Sequence, residues 1–415
     1  MTSMKTKGYE MINALRGMKD IAFEEADKFI YTIETATQIA KRYGYQYIET
    51  PLLEETKLFK RSVGESSDIV GKEMYQFIDK GQNDVCLRPE GTAGVVRAYV
   101  QAKLDRRPRK DKFYYYGAMF RYEKPQKGRL REFHQFGCES FGEASVYEDF
   151  NIILMIRDIF DALGIGYTLK INSLGCSECM PPYRQNLIAF LTPKEALLCE
   201  DCSRRIATNP IRVLDCKNNQ CQTLLHDAPK LTQNLCPTCQ SDFQTLQKLL
   251  DSSSIAYEVD THLVRGLDYY NKSAFEFVSS QIGSQSAIAG GGRYDRLVEF
   301  LDGKSVPAVG FALGIERILD LVTLPTSKRE GIYLGSMLTQ EGIMETLFAL
   351  ASRKRQQTKV EIEYEPKSLK SHLKGADKIN ARYCAVIGED EWSQGEIWIK
   401  DLETKEEYRA KIEEW

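Results

Sequence analysis

The sequence has no long apolar segment and no marked excess of charge of either sign. Its 415 residues contain no apolar run near the roughly 18 residues that a membrane-spanning helix requires. Met1 to Asp20 also lacks the apolar core and the small-residue cleavage site of a signal peptide. The formal net charge is −3, so any contact with nucleic acid must use local basic patches. These absences predict a cytoplasmic protein without a membrane segment.

Three common motifs of nucleotide-binding and metal-dependent enzymes are missing as well. Gly303-Lys304-Ser305 resembles the end of a phosphate-binding loop, but Val298 stands where that loop requires its first glycine. The segment from Gly290 to Asp295 lacks the third glycine of a dinucleotide-binding fingerprint, and no His-Glu-x-x-His pair occurs. Any nucleotide chemistry must therefore use another arrangement.

What the chain does contain is an ordinary globular composition, with 42% apolar and 28% charged residues and enough length for two or three domains. Apolar periodicity predicts helices over 24–43, 147–163 and 293–302 and another after Gly314, and a long hairpin over 113–139. Further strands are predicted at 45–50, 167–172, 257–264, 273–279 and 308–312. Residues 324–329 have linker composition. Residues 330–415 alternate strand and helix as a separate small α/β domain.

Cysteine is abundant and unevenly placed. Eight of the 11 cysteines fall between Cys176 and Cys239, in a stretch, 173–250, that interrupts the strand pattern as an insertion. Such clustering in a cytosolic chain favours metal over disulfides. One four-thiolate zinc site fits the spacing of Cys176, Cys179, Cys199 and Cys202, and a second set is offered by Cys216, Cys221, Cys236 and Cys239. Four cysteine pairs combine into two sites in three ways, so the pairing stays open, as does the alternative of reduced thiols without metal.

Three arginines stand next to apolar or glycine-rich segments. Arg121 ends an aromatic strand whose predicted partner carries Gln135, Gly137 and Glu139 on one face, with a hollow at the glycine. Arg265 lies in an apolar stretch expected to be a strand, and Arg317 follows two glycines. Each has an ordinary alternative: a surface ion pair for Arg121, a buried pair with Asp268 for Arg265, and a helix-surface pair for Arg317. Together they favour a polyphosphate ligand.

Several long motifs, in order, resemble those of the histidyl-tRNA synthetase family of class II aminoacyl-tRNA synthetases. The similar segments are 24–51 (motif 1), 88–92, 120–139 (motif 2), 263–270 and 289–295 (the two histidine-specific signatures), and 310–317 (motif 3). The resemblance covers most of 12–322. It implies an α+β fold: an antiparallel class II sheet flanked by helices in a catalytic domain, 1–322, with the insertion inside it. It also implies a C-terminal α/β anticodon-binding domain, 330–415, and a homodimer formed through motif 1.

The resemblance also implies the reaction and the residues that carry it. The family activates L-histidine with ATP to histidyl-adenylate and transfers it to tRNA(His), with Mg²⁺ on the leaving pyrophosphate. Arg121, Arg265 and Arg317 would act on the carboxylate and phosphates. The residues that would bind histidine are Glu90, Gly91, Thr92, Gln135, Glu139, Tyr269 and Tyr270. Core packing is the ordinary alternative for the two tyrosines.

Contacts with tRNA are expected from two basic segments. In the family the loop between the motif 2 strands meets the acceptor end of the tRNA. In this sequence that loop contains Gln126 and Arg131. The domain 330–415 has 13 basic and 17 acidic residues, so its anticodon face is expected at a local cluster. This cluster consists of Lys367, Lys370, His372, Lys374 and Lys378. Two relatives without tRNA charging remain as alternatives: a histidine-binding regulatory paralogue of histidine biosynthesis, and a sensor of uncharged tRNA.

Overall fold

A computed structural model of the chain describes residues 12–64, 67, 69–216, 218–282, 287–326 and 328–415. They form two compact units, which divide between Thr323 and Leu324. Residues 1–11, part of the segment predicted not to be a signal peptide, lie outside the described residues. Across the described ranges, every helix is too short or too polar to cross a membrane.

The larger unit is built on an eight-stranded sheet and a small three-stranded sheet. In chain order the strands are β1 (Gln46–Tyr47), β2 (Leu53–Glu55), β3 (Gln76–Ile78), β4 (Asp84–Leu87), β5 (Asp111–Phe120), β6 (Glu132–Phe141), β7 (Thr168–Ser173), β8 (Tyr257–Val259), β9 (Asn271–Val278), β10 (Ala287–Arg293) and β11 (Ala308–Gly314). The large sheet has the order β1-β5-β6-β11-β10-β9-β7-β8, and β4 lies between β2 and β3 in the small one. The predicted antiparallel sheet is confirmed in its six central strands. The two edge strands pair in parallel, β1 with β5 and β8 with β7.

Helices cover the large sheet and surround its edges. They are α1 (Phe23–Arg42), α2 (Thr56–Val63), α3 (Thr92–Gln101), α4 (Val146–Leu163), α5 (Met180–Leu191), α6 (Glu200–Thr208), α7 (Asn219–Leu225), α8 (Pro237–Ser252), α9 (Leu297–Phe300) and α10 (Ile315–Ile318). The apolar stripe of α1, with Ile33, Ala36 and Ile39, is buried in one core with α4 and the sheet, as its spacing predicts. Ser145 caps the start of α4 by accepting the Tyr147 N–H.

The predicted insertion leaves the sheet at the end of β7 and returns through α8 to β8. Its helices α5 to α7 have their own apolar core, which includes Tyr183, Leu187 and Leu225. The last helix, α8, instead packs Phe243, Leu246 and Leu250 into the core of the large sheet. The insertion is therefore a small folded body that is joined to the large sheet at its base.

Two predicted elements are much shorter than expected. The helix expected at 293–302 is reduced to α9, because Gly290 to Gly292 belong to strand β10. At Gly291 a Cβ would clash with the Gly310 carbonyl of β11, so only glycine allows the strands to approach this closely. The strand expected at 257–264 ends at Val259, and the segment 260–270 that follows is irregular.

The smaller unit contains a five-stranded sheet with three helices. Its elements are β12 (Ile332–Ser336), α11 (Ile343–Lys354), β13 (Val360–Ile362), α12 (Leu369–Lys378), β14 (Tyr383–Ile387), α13 (Glu389–Gln394), β15 (Glu396–Asp401) and β16 (Glu407–Lys411). The strand order is β13-β12-β14-β15-β16, with parallel pairs on both sides of β12. The predicted α/β pattern is confirmed, and the antiparallel hairpin of β15 and β16 extends it.

Candidate active site

A pocket lies where β6, β10 and β11 meet the irregular segment 260–270, and it unites residues from six separate stretches of the chain. The predicted residues that line it are Glu90, Thr92, Arg121, Gln135, Arg265, Tyr269, Tyr270 and Arg317. Gly91 and Glu139 do not line it and lie buried beneath its floor. Gln126 and Arg131 belong to the loop between β5 and β6, and the cysteines lie in the insertion.

Arg121 is fixed in the pocket by its backbone and aromatic neighbours. Its Nε donates to the Pro89 carbonyl at 2.9 Å, and its guanidinium stands over the ring of Phe133, 5.2 Å from the centroid. The carboxylate of Glu123 approaches Nη1 only to 4.0 Å. The Nη groups therefore keep hydrogen-bonding capacity for an anionic ligand.

Arg265 contacts a different acid from the one expected. It lies in the irregular segment rather than in a strand, and its Nη1 donates to Glu276 of β9 at 2.8 Å, not to Asp268. Its guanidinium rests against the backbone of Gly290, where a Cβ would clash with it. Among the residues that the structure describes, none accepts a hydrogen bond from its buried Nε. A donor of this kind favours an anionic ligand in the pocket.

Arg317 lies close to two other arginines of the pocket, Arg121 and Arg129. Its Nε donates to the Gly128 carbonyl at 3.1 Å, and its Nη1 donates to the Ala287 carbonyl at 2.8 Å. Burial lowers its pKa, and the neighbouring cations Arg121 and Arg129 lower it further. A bound anion would relieve this repulsion, so the electrostatics suit a polyphosphate.

Some charged residues of this pocket were not among the predicted catalytic or histidine-binding residues. Arg129 forms an ion pair with Glu123 at 2.6 Å, and both line the pocket, although Arg129 belongs to the loop that was expected to contact tRNA. Glu316 accepts the backbone N–H of His134 at 2.8 Å and contacts its Nδ1 at 2.7 Å. Alternation along β9 could have identified Glu276, because it is a charged side chain between Phe275 and Phe277.

The other end of the pocket is lined by an acid, an amide and two tyrosines. Both oxygens of Glu90 accept N–H groups at the start of α3, from Thr92 at 2.7 Å and Ala93 at 2.9 Å, and burial raises its pKa. Oε1 of Gln135 is buried and accepts no hydrogen bond from any residue in the described ranges. The rings of Tyr269 and Tyr270 pack 4.7 Å apart, and Tyr269 also belongs to an apolar core.

Glu139 is sealed below this floor, contrary to the expectation that it faces the ligand. It has no exposed surface, and it accepts hydrogen bonds from the hydroxyls of Thr92 at 2.7 Å, Tyr115 at 3.3 Å and Tyr294. Burial raises its pKa to about 8. Thr92, which lines the pocket, is its link to a ligand. Tyr294 follows the glycine triplet and was not singled out from the sequence.

The hollow expected at Gly137 is filled. Tyr115 lies directly across the hairpin from Gly137, and a Cβ at Gly137 would clash with its ring. The same ring covers Gly91, which explains why neither glycine reaches the pocket. The two glycines therefore make room for a buried phenol that bonds to Glu139.

The loop between β5 and β6 closes in a tight turn. Gln126 and Arg129 exchange two backbone hydrogen bonds, at 3.0 and 2.9 Å, around Gly128 with φ of 71°. Gln126 and Lys127 are exposed at the tip. Arg131 is half-buried, with its Nε bound to the Glu123 carbonyl and its guanidinium 3.8 Å from the ring centre of Tyr122. The tip is thus open to a partner, whereas Arg131 is already engaged.

The eight clustered cysteines form two separate groups of four. The outer cluster consists of Cys176, Cys179, Cys236 and Cys239, and the inner cluster consists of Cys199, Cys202, Cys216 and Cys221; within each, all sulfurs lie within 4.8 Å of one another. The zinc site predicted from Cys176, Cys179, Cys199 and Cys202 is therefore wrong, because these two cysteine pairs belong to different clusters. The pairing is nested because the insertion begins and ends at the same point of the sheet, which brings its first and last cysteine pairs together.

Both clusters have the geometry of a tetrahedral thiolate site. With Zn–S bonds of about 2.3 Å, neighbouring sulfurs in a tetrahedron lie about 3.8 Å apart. Cys176 Sγ lies 3.7 Å from Cys179 Sγ and 3.8 Å from Cys236 Sγ, and Cys199 Sγ lies 3.8 Å from Cys216 Sγ. These separations are far longer than the roughly 2.05 Å of a disulfide.

Backbone N–H groups also point at the sulfurs. Cys236 N donates to Cys179 Sγ at 3.1 Å, and Cys199 N donates to Cys221 Sγ at 3.2 Å. Such donors stabilise the negative charge of a metal-bound thiolate. The donor set of each cluster fits a closed zinc site.

The basic cluster expected on the smaller unit loses one member. His372 is fully buried, with Nε2 2.9 Å from the Ser336 carbonyl oxygen, and burial lowers its pKa. Lys367 is partly buried and bonds to Glu363. Lys370, Lys374 and Lys378 are exposed at intervals of four residues on α12, so they share one helix face. We call these three the α12 lysine face.

Comparison with known families matches both units. A family described as "Histidyl-tRNA synthetase" matches residues 17–318, and one described as "Anticodon binding domain" matches 326–415. Among curated relatives, the histidine–tRNA ligase of a Sulfurovum species is 70% identical over 397 residues, covering 96% of this chain and 98% of the relative. That of Sulfurimonas denitrificans is 64% identical with the same coverage.

Solved structures agree in fold. The apo histidyl-tRNA synthetase of S. aureus superposes with a TM-score of 0.80 at 31% identity, covering 97% of this chain and 98% of that one. The histidyl-tRNA synthetase of Nostoc sp. gives a TM-score of 0.68 at 19% identity, which supports the fold alone.

Proposed function

Because the chain belongs to the histidyl-tRNA synthetase family, we propose that this pocket carries out both steps of histidine–tRNA ligation. The chain is a ligase that activates L-histidine with ATP and transfers it to tRNA(His). In the first step the histidine carboxylate attacks the α-phosphorus, and pyrophosphate leaves. In the second step a hydroxyl of the terminal adenosine attacks the carbonyl carbon, and AMP leaves. The observation that supports the pocket as the site is the convergence there of Arg121, Arg265 and Arg317.

The three arginines have separate roles in this proposal. Arg121 bridges the histidine carboxylate and the α-phosphate, and Arg265 stabilises the negative charge that builds on the α-phosphate during attack. Arg317 holds the terminal phosphates. Catalysis therefore depends on positioning and charge stabilisation, with no covalent intermediate on the protein. Mg²⁺ would be bound together with ATP and would neutralise charge on the leaving pyrophosphate. Glu123 and Glu276, two acids of the pocket, are paired with arginines.

Histidine binds at the end formed by Glu90, Thr92, Gln135, Tyr269 and Tyr270. The ammonium group donates to Glu90 and to Gln135 Oε1, the buried acceptor described above. Tyr270 meets the imidazole ring, and Tyr269 walls the pocket. Gly91 and Glu139 act from below the floor, through Tyr115 and through Thr92. A site of this kind rejects amino acids that leave its polar groups unpaired.

Two surfaces contact tRNA in this proposal. The exposed loop tip at Gln126 approaches the acceptor end, and Arg131 supports the loop from its base. The unit that matches the anticodon-binding family presents the α12 lysine face to the anticodon stem. This matched domain favours tRNA charging over the regulatory paralogue, which needs no anticodon recognition.

The metal and the assembly state complete the proposal. Each cysteine cluster holds one zinc ion. The zinc is structural, because four thiolates leave no open position for a substrate.

The chain acts as a homodimer in the cytoplasm. Support for the dimer comes from apolar side chains exposed near the edge strand β1, namely Tyr47, Leu52, Leu53 and Tyr116.

The first test is ATP–pyrophosphate exchange measured with each of the twenty amino acids in turn. We expect exchange with histidine alone. In the Arg121→Ala variant we expect weaker histidine binding and a loss of exchange by a hundredfold or more, on the order of one lost transition-state contact. A folded wild-type protein that binds histidine and shows no exchange would instead support the regulatory alternative.

A further inference from the structure

We propose that the cysteine-rich insertion positions Arg265, and that Asn209 and Arg212 are the positioning residues through which it acts. The insertion then sets the rate of adenylate formation, in addition to any contact it makes with tRNA. This inference rests on the proposed role of Arg265 and on zinc in the two clusters.

The segment that carries Arg265 has little structure of its own. Residues 260–270 form no helix or strand, yet they include Arg265, Tyr269 and Tyr270, which line the pocket. Within the segment, the Leu263 N–H donates a hydrogen bond to the Asp260 carbonyl. The Asp268 N–H donates to the carbonyl of Val63, at the end of α2. A loop of this kind needs support from its neighbours to hold a side chain in one place.

The inner cluster supplies that support in the middle of the segment. Arg212 Nη1 donates to the Gly266 carbonyl at 3.2 Å, directly after Arg265, and Asn209 Nδ2 donates to Asp268 Oδ1 at 2.9 Å. Both donors lie between two inner-cluster cysteines, Cys202 and Cys216. Their placement therefore depends on the fold that this cluster closes.

The outer cluster holds the end of the same segment. Gly175 packs against Cys179, to whose Cβ an added Cβ would come within 2.6 Å. The Gly175 carbonyl accepts a hydrogen bond from the Lys272 N–H at 2.7 Å, and the Leu174 N–H donates to the Lys272 carbonyl at 2.6 Å. Lys272 comes two residues after Tyr270. Two backbone hydrogen bonds thus join the residues next to the outer cluster to Lys272, which lies close in sequence to the pocket tyrosines.

Apolar packing joins the segment to the insertion as well. Val264 and Tyr270 pack against the core of the insertion, which includes Leu174 and Ala274 next to its helices. A core of this size is too small to be stable without cross-links, and a structural zinc ion supplies that stability. The position of Arg265 is therefore coupled to the folding of the insertion.

The first experiment measures ATP–pyrophosphate exchange without tRNA, which excludes effects on acceptor binding. We expect Arg212→Ala to lower kcat by roughly ten- to a hundredfold, as a misplacement of about 1 Å would, with the KM for histidine and ATP within threefold. Asn209→Ala should show a smaller loss, and Arg212→Lys should recover part of the rate. Arg204→Ala is the matched control, because Arg204 lies on α6 and pairs with Asp201. Equal kcat in Arg212→Ala and wild type would overturn the proposal.

A double-mutant cycle tests whether Arg212 acts through Arg265. If it does, adding Arg212→Ala to Arg265→Ala causes no further loss of kcat. If the loss of kcat in the double variant equals the product of the two single losses, Arg212 acts independently of Arg265, which would contradict the proposal. A wild-type protein with no histidine-dependent exchange would refute the proposed function instead, so the two failures are distinguishable.

The role of the metal has its own readouts. Elemental analysis of the full chain should give two zinc ions per chain, and Cys221→Ser should remove one. In that variant, amide hydrogen exchange of residues 260–272 should become faster, while exchange of β12 and β14 in the other unit stays unchanged. Fewer than one zinc per wild-type chain, or unchanged exchange at 260–272 after zinc loss, would overturn the link between the clusters and Arg265.

Discussion

Glu139 is a carboxylate with three hydroxyl partners and no exposed surface, so its chemistry reaches the ligand through other groups. Thr92 joins it to the pocket, and Tyr115 and Tyr294 hold it from the other sides. Because both glycines next to Tyr115 leave space for the phenol, the arrangement depends on residues that have no side chain of their own. The sequence showed the type of residue needed at 139 but could not show that a tyrosine occupies the space between.

We expect Glu139→Gln to raise the KM for histidine about tenfold and to change the KM for ATP by less than threefold. With its pKa of about 8, Glu139 is a protonated acid at neutral pH, and glutamine replaces its single O–H by an NH2 group with two donors. At least one hydroxyl therefore loses its hydrogen bond, at a cost of about 1.4 kcal/mol, and Thr92 shifts. The control is Glu148→Gln, a buried carboxylate on α4 that accepts a hydrogen bond from Tyr45 at 3.4 Å. An unchanged KM for histidine would remove Glu139 from the recognition of the substrate.

The raised pKa of Glu139 also predicts a pH dependence of stability. Its pKa is about 8 in the folded chain against 4.5 in the unfolded chain, so between these values the folded state binds the proton more tightly. The stabilisation is fully present below pH 4.5 and is lost as the pH rises to about 8. In urea titrations, the free energy of unfolding of wild type should therefore fall relative to Glu139→Gln between pH 5 and 8. Parallel profiles would contradict the raised pKa.

At the scale of single elements, helix α12 separates what a charge pattern can predict from what it cannot. The lysines at intervals of four share an exposed face, as helical spacing requires. His372 belongs to the same local cluster in sequence, but it lies on the opposite face and is buried against β12. Residue type alone did not reveal its burial, although the helical period would have placed it away from Lys370 and Lys374.

We expect simultaneous replacement of Lys370, Lys374 and Lys378 by Gln to weaken tRNA binding and to flatten its salt dependence. Each lost phosphate contact lowers the slope of log K against log salt by about 0.7 to 0.9. Exchange of pyrophosphate should remain unchanged, since it needs no tRNA. A triple Gln variant at Lys359, Lys405 and Lys411, also exposed in this unit, removes the same charge and serves as control. Equal salt slopes in the two variants would contradict the assignment.

The glycine triplet shows why some elements could not be predicted. Gly290 to Gly292 precede a helical-looking apolar pattern, and local preference favoured a helix there. The strand forms because these residues pair with both β9 and β11. The absence of side chains permits this pairing, since a Cβ at Gly291 or Gly292 would clash with the neighbouring strands. By contrast, the hairpin of β5 and β6 was predictable, because its aromatic alternation and its turn residues are local. The same contrast applies to the pocket, where residue types were predictable but pairings between separate segments, such as that of Arg265 with Glu276, were not.

For the whole molecule, the edge of the large sheet is the feature that bears on assembly. Strand β1 has two residues, and Tyr47 on it is 46% exposed beside Tyr116, with ring centres 5.6 Å apart. Leu53 nearby is 48% exposed. An apolar patch at a sheet edge is typical of an interface.

We expect sedimentation velocity to give a dimer of the 47.4 kDa chain and the double variant Tyr47→Asp, Leu53→Asp to give a monomer. Burial of two carboxylates without partners is unfavourable enough to dissociate a standard interface. Tyr408→Asp, which replaces a 43% exposed tyrosine in the smaller unit, is the control and should remain dimeric. A dimeric double variant would place the interface elsewhere.

The nested cysteine pairs impose an order on the synthesis of the chain. All four inner ligands have emerged from the ribosome once Cys221 is out, whereas the outer cluster must wait for Cys239, 18 positions later. At 5 to 20 residues per second, that delay is roughly one to four seconds. Strands β9 to β11 follow later still. The insertion thus closes from its far end towards its base, so that the nascent catalytic sheet is completed beside a module that has already matured.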